Sequence, residues 1–153
     1  NSAVESDPSN PESYFTRGNI YESRGLADKA VSDYDKAIEL KPRYAEAFIN
    51  RGIIYYKRGE FERAILDYTK ALELDPTYGE AYANIGLAYT KLGKYDQALY
   101  YYNKAVYEYD DDPSLYVDRG KVYNEKGMPG HAPRGKMGSR GIKKHIKQGP
   151  PPQ

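Results

Sequence analysis

The chain has 153 residues and a formal net charge of +1, with no Cys, no Trp and 18 Tyr. That length fits one domain or a short repeat array, and the lack of Cys excludes a disulfide scaffold, an iron–sulfur site, a thiolate zinc site and a cysteine nucleophile. No apolar run approaches the ~18 residues that span a bilayer, and the opening Asn1-Ser2-Ala3-Val4-Glu5-Ser6-Asp7-Pro8 is too polar for a signal peptide. A cytoplasmic protein with no membrane partner is the default expectation.

The small net charge sums two unlike parts. Residues 1–127 hold 17 Lys and Arg against 22 Asp and Glu, whereas residues 128–153 hold six bases and no acid. All the tyrosines lie at or before Tyr123, and both His and both Met lie after Gly127.

In chain order, residues 1–10 come first. Ala3 and Pro8 stand one period of 34 residues before Ala37 and Pro42, so this segment reads as the remnant of a preceding repeat or a linker. Without an initiator Met, the chain reads as an excised or processed piece.

From residue 11 the 34-residue period governs the sequence. Gly18, Gly52, Gly86 and Gly120 keep it, as do Gly25, Gly59, Gly93 and Gly127. Tyr21, Tyr55, Tyr89 and Tyr123 keep it too, with the aromatics Tyr14, Phe48, Tyr82 and Tyr116. Within each repeat the aromatic, the first Gly and the Tyr fall at i, i+4, i+7, one face of a helix (helix A). The second Gly suits a left-handed helix end. A second helix (helix B) then carries Ala30, Tyr34 and Ala37, or Ala64, Tyr68 and Ala71, or Ala98, Tyr102 and Ala105, again at i, i+4, i+7. Pro42 and Pro76 stop it. Asn10-Pro11 and Asp112-Pro113 read as an N-cap followed by Pro at the first helical position.

These spacings resemble the tetratricopeptide repeat (TPR). The resemblance covers repeats 11–44, 45–78 and 79–112 and the helix A of a fourth at 113–127. It implies an all-α fold, a right-handed superhelical stack of antiparallel helical hairpins (a TPR solenoid) followed by a non-repeat C-terminal tail. Two departures stand out. The large apolar residue usual before the first Gly is Arg17, Arg51 and Arg119 in three repeats and Ile85 in the other. The third repeat ends in Asp110-Asp111-Asp112 rather than in the closing Pro.

The resemblance also implies a non-catalytic interaction scaffold that takes a protein or peptide ligand in a concave groove lined by the A helices. On that face Asn19, Asn50 and Asn84 are candidate main-chain grips, because an amide donates and accepts at once. Phe15, Ile49, Ile53 and Leu87 are candidate apolar contacts. The carboxylate-clamp subtype, which grips acidic chaperone tails, fits poorly, because Phe15, Glu80 and Asn84 stand where it needs bases. The periodic tyrosines read as core, while Tyr100, Tyr101, Tyr107 and Tyr109 fall outside the signature.

At Gly127 the array breaks. Pro129 and Pro133 prevent a normal helix B, so the basic Gly/Pro-rich tail 128–153 reads as irregular. The last helix A then needs cover from the tail or from a second copy. Gly130-x4-Gly135-Lys136 imitates a phosphate loop but has Met137 where Ser or Thr would bind Mg²⁺, and no strand precedes it. His131 and His145 are too sparse for a metal site, and Ser139 to Gln148 is at most a short basic helix. No cofactor is expected. Self-association through the open end or tail is the alternative reading, and nucleic-acid binding by the tail is a weaker one.

Overall fold

The computed structural model describes residues 2–108 and 112–127. The tail expectations, including the phosphate-loop imitation, the two His and the basic helix, lie outside the described residues, as does Tyr109. Among the described residues eight helices follow one another: α1 (Ser2–Ser6), α2 (Pro11–Ser23), α3 (Ala27–Leu40), α4 (Ala45–Lys57), α5 (Phe61–Leu74), α6 (Gly79–Lys91), α7 (Tyr95–Glu108) and α8 (Pro113–Glu125). Among the described residues there is no strand.

The helix ends follow from side-chain chemistry. The Asn10 side chain accepts from the Glu12 amide and Pro11 opens α2, while Asp112 accepts from the Ser114 amide and Pro113 opens α8. Each turn from helix A to helix B closes on a glycine of positive φ, for instance Gly59 at +79°. An L side chain strains there.

Two compact units divide the chain, at Ala81 and Tyr82. In the first, α2 pairs with α3, α4 pairs with α5, and α3 packs on α4. Ala30, Tyr34 and Ile54 form one buried cluster, with Phe15, Tyr21 and Val31 against it. Ala37, Tyr44 and Ala47 form another, with Tyr14 and Ile38 at its edge. In the second unit α7 pairs with α8. Ala98, Leu99, Tyr102 and Val122 make one cluster there, and Ala105, Val106 and Leu115 make the other.

Gly52 shows why α2, α4 and α6 keep a glycine at the contact with helix B. A Cβ at this position would stand 2.9 Å from Cε1 of Tyr68, whose ring is buried. The small residue lets the aromatic lie flat on the helix backbone.

Burial pushes the phenols of Tyr34 and Tyr68 well above the ordinary value, with the Glu22 charge adding to the rise at Tyr34, and it pushes Tyr44 up to about 12. Unfolded phenols ionise near pH ~10, while these remain neutral in the fold. Their contribution is therefore complete below about pH 10 and is lost as pH rises above it. The urea midpoint should hold steady from neutral pH and fall between about pH 10 and 12. A midpoint that stays level across that window would contradict it.

Candidate peptide-binding site

The candidate residues sit on the A helices: Phe15 and Asn19 on α2, Ile49, Asn50 and Ile53 on α4, and Asn84 and Leu87 on α6. In the first unit Asn50 Nδ2 donates to Asn19 Oδ1 at 2.9 Å. The Tyr34 hydroxyl reaches the same Oδ1 at 2.7 Å and Glu22 Oε2 at 3.0 Å. Lys57 Nζ lies 3.5 Å from the other oxygen of Glu22. A buried tyrosine thus fixes the Asn19 carbonyl from below, and Asn50 holds it from the side. These hydrogen bonds engage the carbonyl of Asn19 and the amino group of Asn50. The remaining Asn19 N–H groups and Asn50 carbonyl suit an incoming main chain.

The apolar candidates divide. The Phe15 ring packs at 4.9 Å from that of Tyr44 and 5.9 Å from that of Tyr34, which leaves it half-buried. Ile49 is only 2% exposed, so it has almost no surface to give a ligand. Ile53 is half-buried. In the second unit Asn84 and Leu87 are half-buried, and Leu87 packs against the Ala98, Leu99, Tyr102 and Val122 cluster. Among the non-signature tyrosines, Tyr101 stacks on Tyr89 at 5.7 Å and meets Tyr100 edge-on at 5.1 Å.

A second system escaped the sequence reading. Arg17 Nε and Nη2 grip the Asp33 carboxylate with two bonds of 2.7 Å. Arg51 repeats the fork on Asp67, with two bonds of 2.8 Å, and adds Nη1 to Asp35 at 2.7 Å. The hydrogen bond that Arg51 donates to Asp67 is the main cause that raises its guanidinium above the usual value. Burial lifts the Asp67 carboxyl above the usual carboxylate range against the pull of Arg51. The bidentate fork keeps the pair ionised. Each guanidinium also lies over aromatic rings three residues before and four after it: Tyr14 and Tyr21 for Arg17, Phe48 and Tyr55 for Arg51. The signal was in the sequence: where Ile85 replaces the Arg, Tyr101 replaces the Asp 16 residues later.

Among the described residues no His, Cys, Asp and Glu cluster could hold a metal, and no helix is long and apolar enough to cross a membrane.

Family comparison agrees with the repeat geometry. The family profile described as "TPR repeat" matches residues 18–57 and 52–93, and the profile "Tetratricopeptide repeat" matches 79–112. The chain is a tetratricopeptide repeat protein. No relative was found among curated proteins. Among solved structures, this TPR chain is similar to MamA at 28% identity and a TM-score of 0.81, covering 86% of this chain and 77% of that one. It is also similar to YrrB, described as a TPR protein with an unusual peptide-binding site, at 26% identity and a TM-score of 0.76, with coverage of 86% and 68%. The first TPR of Spaghetti (RPAP3), bound to the HSP90 peptide SRMEEVD, shares the fold at 23% identity and a TM-score of 0.74, with coverage of 77% and 94%.

Proposed function

We propose that this TPR protein is a non-catalytic protein–protein interaction scaffold that binds an extended peptide segment along its A helices. The observation that carries the reading is the Asn19–Asn50 contact, two amides bonded to each other with the Tyr34 hydroxyl on the shared Asn19 carbonyl and with donor and acceptor capacity left over. Asn84, one period after Asn50, carries the same amide on α6 of the second unit. The likeness at 26% identity to YrrB, described as having an unusual peptide-binding site, supports it. The likeness to the HSP90-peptide complex supports the fold alone. Glu80, exposed at the start of α6, together with Phe15 and Asn84, argues against an acidic tail as the ligand.

The test begins with a displayed library of extended peptides, from which a binder is selected on the full chain. Asn19→Ala with Asn50→Ala should weaken that binder about fivefold or more, because each amide contributes ~0.5–1.5 kcal/mol through its hydrogen bonds. Circular dichroism checks that the variant keeps its helices. Unchanged affinity in a folded double variant rules this reading out. Deleting residues 128–153 should leave the peptide affinity intact.

A further inference from the structure

The buried Tyr34 ring lies against Gly18, and its hydroxyl reaches two side chains of α2 at once. Its one hydrogen meets two acceptors, Asn19 Oδ1 at 2.7 Å and Glu22 Oε2 at 3.0 Å, so the Glu22 carboxylate keeps acceptor capacity to spare. The Glu22 side chain is 26% exposed, while that of Lys57, 3.5 Å from its Oε1, is 66% exposed. An ion pair that long and that exposed contributes little, and the ammonium returns to water at small cost. A half-buried carboxylate thus stands beside the candidate peptide site, held by Tyr34 and only loosely neutralised.

The repeat itself does not call for this acid. One, two and three periods after Glu22 stand Tyr56, Thr90 and Asn124, while the tyrosine that Glu22 touches recurs as Tyr68 and Tyr102, both buried. The tyrosine therefore packs without a carboxylate at that register position. Two bridges join α2 to α4 here, Asn50 to Asn19 and Lys57 to Glu22. Ile53, half-buried, stands between them on α4, three residues after Asn50 and four before Lys57. Along this strip a pair of amides is followed by an aliphatic side chain and then by a carboxylate.

We infer that Glu22 is a specificity-determining residue of the peptide site and receives an arginine from an extended segment of another protein. The inference rests on the peptide reading of Asn19 and Asn50. With the peptide main chain on those amides, the arginine stem covers Ile53. Its guanidinium displaces Lys57 from Glu22, donating two hydrogen bonds where the ammonium makes one long contact. The surroundings agree in sign. Residues 1–81 hold 11 Lys and Arg against 15 Asp and Glu, and Glu12 and Glu46 are exposed in the first turns of the same two helices. Such a surface attracts a cationic segment.

The probes are the binders that the displayed library yields on the full chain, labelled with fluorescein and followed by anisotropy. Selection should enrich arginine at one fixed position, and each binder is resynthesised with citrulline, the neutral isostere, in its place. The full chain should prefer the arginine form about tenfold or more. Glu22→Gln keeps an acceptor for Tyr34 and should bind the two forms about equally. Lys57→Met removes the competing ammonium and should tighten the arginine form about two- to fivefold. A merely structural Glu22 would weaken both forms alike and leave the preference intact. Binders without arginine, a preference that survives Glu22→Gln, or a folded Lys57→Met that does not tighten binding overturns the proposal. A rise in affinity on deleting residues 128–153 would overturn it too, in favour of the chain's own basic tail. The two readings fail differently: the peptide reading falls if Asn19→Ala with Asn50→Ala binds as before. Glu22 alone is ruled out if that double variant weakens binding while Glu22→Gln keeps the arginine preference.

Discussion

Arg51→Ile alone should destabilise the first unit by about 3–5 kcal/mol, because it leaves the buried Asp67 carboxylate with no cation. Arg51→Ile combined with Asp67→Tyr should recover most of that loss. The reasoning comes from the chain's own third repeat, where Ile85 and Tyr101 occupy these two positions. Ile85 is fully buried and Tyr101 stacks on Tyr89. The counterpart of Tyr89 in the second repeat is Tyr55, so a tyrosine at 67 would find an aromatic already in place. Asp35, the other partner of Arg51, keeps a 53% exposed side chain and can return to water at small cost. Urea denaturation followed by helical circular dichroism measures both variants. If the double variant is as unstable as Arg51→Ile, the two positions do not act as an exchangeable pair.

That exchange also marks the limit of what the sequence disclosed. Helix ends were legible because they depend on neighbours in sequence: Asn10 and Asp112 cap the amides two residues on, and the second glycine of each repeat takes positive φ. The core was legible because Ala30, Tyr34 and Ala37 and their periodic partners share one helix face and are all buried. The pairing of Arg17 with Asp33 and of Arg51 with Asp67 joins two helices across a turn, and helical spacing within either helix is silent about it. Seen from one helix, an arginine at a usually apolar position was only a departure from the pattern. The candidate site was legible to the level of a helix face and no finer. Ile49 and Val117 hold the same register position, yet one is 2% and the other 56% exposed. Register states the direction of a side chain, while the element packed over it decides whether that side chain reaches solvent.

Tyr68→Ala should cost about 3–5 kcal/mol, the range for deleting a large buried aromatic. The ring is 2% exposed and lies on the Gly52 backbone, with Asp67 beside it. The same contact can be strained from the other side. A Cβ at Gly52 would stand 2.9 Å from Cε1 and 3.0 Å from Cδ1 of Tyr68, closer than packed carbons approach. Gly52→Ala should therefore destabilise, its overpacking cost of about 1–3 kcal/mol exceeding the ~1 kcal/mol that Ala gains over Gly in a helix. Combined, the two changes should interact. With the ring gone the methyl group at 52 has room, so the double variant should lie about 0.5–3 kcal/mol above the sum of the singles. Gly120→Ala is the counterpart, because no described residue approaches its Cβ position, and there the helix gain should appear as stabilisation of up to ~1 kcal/mol. Additive singles at 52 and 68, measured by the same urea titration, would show that the glycine is not kept for the tyrosine. Opposite signs at Gly52 and Gly120 would show that a helix B, rather than the helix carrying the glycine, sets the demand for a small residue.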